Sequence, residues 1–474
     1  MDADFWRRSA VGLGGLLAGR VLSPVGLLDS TLARIARLNP AINAIVALDE
    51  AGARAAAAAS ERRHARGEAL GPLDGVPLTV KDNILVKGVP AAWGSALFRD
   101  YVPEGDELPV ARLRAAGAVI LGKTNVPEFT LQGYTANRIF GVTRNPWDPR
   151  LTPGGSSGGA VAGVAAGLAP LALGTDGGGS IRRPASHTGL VGLKPSIGRV
   201  ARVNSLPQIL LDFEVIGPIA RSVADAALLL RHMAGPDPRD RNSLFAVPAA
   251  SPDAAPDRPP GRQRIRFVPR FGDNPVDPEI ARSVADAARL FAELGHEVTE
   301  GPAPFDLEPL NELWRAVGCA AVAWLLDRHP GREAEIGPGF AEMAEEGRRT
   351  DSGRYLEMLM RVSRFRCEMS ELFEETDIVM TPSAAALPWP AEESHPPVID
   401  GRPVGPRGHA VFTAWVNICG HPGLNLPCAP ARGSGLPIGF QLVGRFGADA
   451  LLLRLGAQYE AARPWADRWP ALAG

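Results

Sequence analysis

The chain has 474 residues, 45% of them hydrophobic and 22% charged, with a formal net charge of -2. That is the composition of an ordinary globular protein with a large core, and it leaves no basic footprint for nucleic acid. The four cysteines, Cys319, Cys367, Cys419 and Cys428, form no C-x-x-C pair, so neither a zinc site nor a disulfide framework is expected and a reducing, cytoplasmic setting fits.

The first element is "FWRRSAVGLGGLLAGRVLS". Its arginine pair and short apolar run are features of an export signal, but no clear small-residue cleavage site follows. We read it as an amphipathic helix capped by Ser9, with Leu13, Leu16, Leu17 and Val21 on one face. Residues 23–65 read as further helix, started by Ser23 and Pro24, with Ile35, Leu38, Ile42 and Ile45 as apolar positions. The N-terminal helical segment therefore covers about 1–65. No stretch approaches the roughly 20 apolar residues of a membrane span, so no membrane partner is expected.

The central region, about 66–235, alternates strands and helices. "GVPLTVKDNILV" reads as a strand bounded by Asp82-Asn83, with Lys81 inside its apolar run. A buried lysine is costly unless paired or neutralised, and burial lowers its pKa from about 10.4. A neutral amine is a competent general base. Lys87, nearby, reads as a solvated turn residue. "LPVARLRAAGAVILGKTN" reads as a helix followed by a buried strand, Ala118 to Leu121, and "AVAGVAAGLAPLALGTD" repeats that alternation. A helix of alanine and glycine offers so little bulk that something must pack very close to its backbone.

Ahead of that helix stands "TPGGSSGG", Thr152 to Gly159. A phosphate-binding loop would need Gly-Lys-Ser/Thr, and no lysine is near. A dinucleotide fingerprint would follow a strand, and "NPWDPRLTPGG" is not one, although Asp176 has the right spacing. Residues 154–158 do match G-x-S-x-G, which would call for an acid and then a histidine downstream of Ser156. His187 follows too closely, His296 ends a capped helix, and His395, His409 and His421 have no distinctive context. A second serine, Ser180, follows Gly177, Gly178 and Gly179 in "LALGTDGGGSIRRPAS". Successive glycines let neighbouring N–H groups converge on one point as an oxyanion hole, or they simply connect two elements.

Beyond this region, residues 247–263 read as a proline-rich loop and 264–474 as a C-terminal α/β part. "VDPEIARSVADAARLFAELGHEVTE" gives a helix with Asp277 as N-cap, Pro278 at its first position and Gly295 closing it before strand "HEVTE". The alternation argues for an α/β layered fold around a mostly buried sheet.

Together, "VKDN", "GGSSGG" and "GTDGGGSIRRPA" strongly resemble the amidase signature family. Further segments, among them "LARIARLNPAINAIV", "GKTNVPEF", "FTAWVNICGHPGLNLPCAP" and "GLPIGFQLVGRFGADALLLRLGAQYE", extend the likeness over nearly the whole chain. The resemblance implies one large domain over 1–474, with a central twisted mixed β-sheet covered by helices on both faces and a catalytic core at about 66–235. It implies a Ser-cisSer-Lys triad, with Ser180 as nucleophile, Ser156 as bridging serine on a cis Gly155–Ser156 bond, and Lys81 as base. It places the oxyanion hole on the N–H groups of Gly177, Gly178, Gly179 and Ser180, with Ser157, Thr175, Asp176 and Arg182 in support. Glycine at 177, where many relatives carry a larger residue, is expected to loosen the loop or open space near the acyl group, and Arg183 has no evident role.

The implied activity is hydrolysis of C–N acyl bonds in an amide, aryl amide, ester or carbamate, with no metal and no cofactor. The expected partner is a small substrate with an apolar acyl or aryl group, bound by a monomer or homodimer. The segments "PAAWGSALF", "LQGYTANRIF", "ARVNSLPQILLDF" and "TPSAAALPWPAEE" are expected to shape the pocket. Two other readings share the motifs: one of the subunits of a glutamine-dependent tRNA amidotransferase, and a non-catalytic binding protein on the same fold.

Overall fold

The computed structural model describes residues 4–245 and 259–474. Most of the expected 247–263 loop lies outside the described residues; 259–263 is irregular. The N-terminal half contributes β1 (Ile45–Leu48), β2 (Pro77–Lys81), β3 (Val119–Thr124), β4 (Ala136–Asn137) and β5 (Gly141–Val142). The middle adds β6 (Leu171–Asp176), β7 (Val191–Lys194), β8 (Val215–Ala220), β9 (Arg264–Phe267) and β10 (Glu297–Glu300). Last come β11 (Ile378–Pro382), β12 (Val398–Ile399), β13 (Arg402–Pro403), β14 (Gly423–Pro427) and β15 (Gly439–Gly444).

Eleven of these strands form one sheet in the order β1-β3-β2-β6-β8-β7-β14-β15-β11-β9-β10. The sheet is mixed: β2 runs parallel to β3 and β6, whereas β6/β8, β8/β7 and β7/β14 are antiparallel. Every residue of β2, β3, β6, β7, β8, β14 and β15 is buried. Strands of that kind require cover on both faces, which helices supply. One apolar cluster runs across the sheet through Leu78, Leu171, Leu193, Ile216 and Leu442.

Several local expectations meet their physical reasons here. Ser9 accepts from the Gly12 N–H and caps the helix Ala10–Ala18. Gly14 within it is required, because a Cβ would lie 2.3 Å from the Pro72 carbonyl oxygen. The helix stops before Val21, which is exposed rather than on the buried face. The segment 23–65 is not continuous helix: Asn43 takes a left-handed φ of 50° and ends the helix Pro24–Ile42. Ile45 then lies in β1, ahead of the helix Glu50–Arg66. Helical and strand spacing merge across so short a junction, and only the cap separates them. Asp277, Pro278 and Gly295 bound the helix Pro278–Glu293 as expected, with Asp277 accepting from the Glu279 N–H.

Candidate active site

Because β2 and β6 are parallel, their carboxyl ends emerge side by side. Leu78 pairs with Leu171 and Val80 with Leu173, so Lys81 comes out beside Thr175 and Asp176. The carboxyl ends of parallel strands are where open α/β sheets build their ligand sites. Lys81 closes β2 rather than sitting in its middle, and its side chain is fully buried. Its Nζ lies 2.8 Å from Ser156 Oγ, 2.8 Å from Thr175 Oγ1 and 3.1 Å from the Thr175 carbonyl. Burial pushes the Lys81 amine down to about 7; Glu214 and Asp176 oppose that shift, and Arg202 and Arg183 add to it.

Ser156 reaches the lysine from the glycine turn, where the Gly155–Ser156 peptide is cis. The turn is closely enclosed: a Cβ on Gly155 would lie 2.5 Å from the Tyr134 carbonyl oxygen. Ser157 Oγ donates to the Thr175 carbonyl at 3.2 Å. The Ser157 N–H donates to the Ser180 carbonyl at 3.2 Å, which fastens the two serine loops together.

The Gly177–Ser180 loop hangs from Asp176. That carboxylate accepts from Arg182 Nε and Nη2, each at 2.9 Å, from the Gly179 N–H at 2.7 Å and from the Ile181 N–H at 3.1 Å. Burial raises the carboxyl, but the Arg182 guanidinium and the Asn417 amide outweigh it and hold Asp176 well below the usual carboxylate range. Arg182 in turn donates to Gln441 Oε1 on β15 and to Asn417 Oδ1 on the helix Ala414–Cys419. The Gly179 N–H, expected in the oxyanion hole, is thus committed to Asp176.

Arg183 gains a place the sequence does not reveal. It donates from Nη1 to the Gly178 carbonyl at 2.5 Å and to Thr413 Oγ1 at 3.1 Å, and from Nη2 to the Gly155 carbonyl at 3.4 Å. It therefore clasps both serine-bearing loops. Gly177 opens no space, because a Cβ there would lie 2.7 Å from Leu210 Cδ1, whose side chain fills the position.

Ser180 opens onto a cavity of about 500 Å³. Its walls include Leu131 to Tyr134 and Leu210, from two of the expected segments. Neither "PAAWGSALF" nor "TPSAAALPWPAEE" lines it. Their place is taken by the helix Glu308–Asp327, through Trp314, and by the stretch around Arg407 and His409. Trp314 Nε1 donates to the Gly177 carbonyl at 3.2 Å, so this helix touches the glycine loop directly. A larger groove of about 870 Å³, between residues 208–213 and the helix Ser352–Glu375, contains neither Lys81 nor any serine of the glycine loops.

His187 and His421 do not line the cavity at Ser180. Burial pushes His187 and His421 down to about 4. His187 Nε2 meets the Ala386 carbonyl, and His421 stacks on Phe373. No group of His, Cys, Asp and Glu among the described residues is arranged to hold a metal ion. No helix among them is long and apolar enough to cross a membrane.

A buried lysine on one serine, a glycine loop carrying a second, and a cavity in front of it form the candidate site. The chain matches the family model described as Amidase over residues 26–453. It is 36% identical to an acylamidase of Rhodococcus erythropolis, over 98% of this chain and 97% of that protein. It is also 36% identical to a glutamyl-tRNA(Gln) amidotransferase subunit of Roseiflexus sp. (strain RS-1), over 96% of each chain. Among solved structures, a bacterial aryl acylamidase of the amidase signature enzymes superposes with a TM-score of 0.90 at 30% identity, over 98% of each chain. The chain belongs to the amidase signature family and is a hydrolase of the amidase type.

Proposed function

We propose that the protein hydrolyses C–N acyl bonds of small amides through Lys81, Ser156 and Ser180. The observation that carries this reading is the Lys81 Nζ to Ser156 Oγ contact of 2.8 Å inside a fully buried site. Nζ has three oxygen neighbours. A neutral amine donates two hydrogens, to Thr175, and its lone pair then accepts the Ser156 hydroxyl proton.

Ser156 passes its proton to Lys81 and takes the proton of Ser180, whose Oγ bonds to the substrate carbonyl carbon. The oxyanion is met by the N–H groups of Gly177, Gly178 and Ser180, a donor set without Gly179. As the tetrahedral species collapses, the C–N bond breaks and the amine leaves with the proton returned through Ser156. Water then attacks the Ser180 ester by the same relay and releases the acid. Asp176, Arg182, Ser157 and Thr175 hold these groups in place.

A panel of aryl amides, short aliphatic amides, carbamates and glutamine at about pH 8.5, above the Lys81 value, tests the reading. Turnover of at least one amide or carbamate by the isolated chain is expected, and none in Ser180→Ala. Full activity in Ser180→Ala refutes it. The identity to amidotransferase subunits favours a second reading, in which the chain works in a complex. Glutaminase activity that appears only with a co-purifying partner would establish that one.

A further inference from the structure

The cavity in front of Ser180 is lined by three basic side chains, none of which forms an ion pair with a carboxylate among the described residues. Arg407 is half-buried and stacks on Trp314, its guanidinium carbon 3.9 Å from the ring centroid. Arg183 is buried and bonded only to carbonyl and hydroxyl oxygens, and its Nε has no hydrogen-bond partner. His409 is 2% exposed, and neither of its ring nitrogens has a partner among the described residues. All three line the same cavity.

Of the carboxylates lining that cavity, one is engaged elsewhere and two are exposed. Glu214 pairs with Arg202 at 2.8 Å, while Glu308 and Glu312 line the cavity as exposed residues of the helix Glu308–Asp327 and form no ion pair with Arg183 or Arg407 among the described residues. The cavity's remaining arginine, Arg315, is paired with Glu346. The two guanidinium groups repel each other, and His409 stays neutral beside them. Burial and then Arg407 lower Arg183 to about 9, with Asp176 opposing that shift, and burial with Arg183 and Arg407 among its neighbours lowers His409 well below its ordinary value. Buried cations without a counter-charge are costly. An anionic ligand in this cavity would supply the charge that Arg183 and Arg407 lack in an ion pair.

We propose that the substrate is an amide whose acyl group ends in a carboxylate, seated against Arg407 with Arg183 and His409 beside it. This rests on the assignment of Ser180 as nucleophile, because the acyl group stays bonded to that serine and must lie in its cavity. Arg407 reaches the glycine loop through one indole: Trp314 carries the guanidinium on its ring and donates from Nε1 to the Gly177 carbonyl. The anion therefore sits a short spacer away from the scissile carbonyl. Charge-assisted hydrogen bonds of this kind are stronger than neutral ones and select for the charged ligand.

The test is a matched set of p-nitroanilides: glutaryl, with a free carboxylate, its methyl ester, and the cationic 5-aminovaleryl analogue. The wild-type enzyme is expected to favour the glutaryl compound over the ester by about tenfold or more in kcat/KM, an advantage that shrinks as salt rises. In Arg407→Gln that ratio is expected to collapse through KM, with Arg407→Lys retaining part of it. Equal or better turnover of the ester, preference for the cationic analogue, or an unchanged ratio in Arg407→Gln overturns the proposal. Calorimetry of glutarate with the Ser180→Ala protein gives a readout independent of turnover, and absence of binding there also overturns it. Hydrolysis of the ester with no carboxylate preference leaves the Ser180 assignment standing and removes the anion site. Binding of glutarate without hydrolysis of any amide does the reverse.

Discussion

Arg182 holds Asp176 by two parallel hydrogen bonds, Nε to Oδ2 and Nη2 to Oδ1, each 2.9 Å long, with neither side chain exposed. This pair suspends the whole Gly177–Ser180 loop, because the same carboxylate accepts from the Gly179 and Ile181 N–H groups. Removing one partner of a buried pair leaves an uncompensated charge, at about 3–5 kcal/mol. Arg182→Met is therefore expected to lower the urea midpoint strongly and to inactivate the enzyme. Pairing it with Asp176→Asn should cost less than the sum of the single changes. A near-native midpoint for Arg182→Met would show that the loop holds itself.

The pH dependence of the reaction follows from Lys81, whose amine burial pushes down to about 7. Below that value the group is an ammonium and cannot accept the Ser156 proton; above it the neutral amine can. The rate profile of kcat/KM is expected to rise through pH 7 and reach a plateau on the alkaline side. Lys81→Met should be nearly inactive at every pH. A maximum below pH 6 would exclude a lysine base.

Ser156 and Ser180 are expected to separate by their products. The proposed mechanism makes only Ser180 covalent, so mass spectrometry of an enzyme quenched during turnover of a slow ester should find one acyl group on the peptide containing Ser180. Ser156→Ala keeps the nucleophile but breaks the relay, and is expected to lose about 10²–10⁴-fold in rate. An acyl group on Ser156 would reverse the two roles.

Stability should depend on pH through the buried histidines. His187 and His421 sit near 4 in the folded protein because burial disfavours their charged forms, against about 6.5 for a free imidazole. Between those values the unfolded chain binds more protons than the folded one, so acid favours unfolding. The histidine contribution is full above about pH 6.5 and falls toward pH 4, by up to about 1.4 kcal/mol per pH unit for each histidine. Urea titrations at several pH values check this, and His421→Phe should flatten the slope. A stability that does not change from pH 7 to 5 would contradict it.

The candidate residues were far more legible in the sequence than the pocket was. Ser156, Ser180 and Lys81 announce themselves because a glycine run or a cation inside an apolar strand is costly without a reason. Lys81 meets Thr175 because β2 and β6 lie parallel, a pairing that sequence pattern alone does not specify. Trp314, Arg407 and Thr413 carry no such local signal. They reach the glycine loop from well over a hundred residues away, and nothing in their own neighbourhoods departs from ordinary helix or loop. The split of residues 23–65 was hidden for a different reason: one left-handed residue, Asn43, divides helix from strand without interrupting the apolar spacing.

The alanine- and glycine-rich helix Gly158–Ala165 offers the sharpest packing test. Its first turn lies against backbone, since a Cβ on Gly159 would be 2.4 Å from the Asn125 nitrogen and 2.6 Å from the Ala44 carbonyl oxygen. Neither atom belongs to a side chain that can swing away. A Gly-to-Ala change inside an open helix ordinarily stabilises by up to about 1 kcal/mol. At Gly159 the overlap is expected to reverse that sign, at about 1–3 kcal/mol, and to disturb Ser156 just ahead of the helix. Gly163, one turn on, is the internal control, because its added Cβ meets nothing nearer than Ala44 Cβ at 4.0 Å. Gly163→Ala should therefore melt at or above the wild-type temperature and keep its activity, while Gly159→Ala melts lower and loses it. Equal melting of the two variants would mean that close backbone packing is not what selects small residues here.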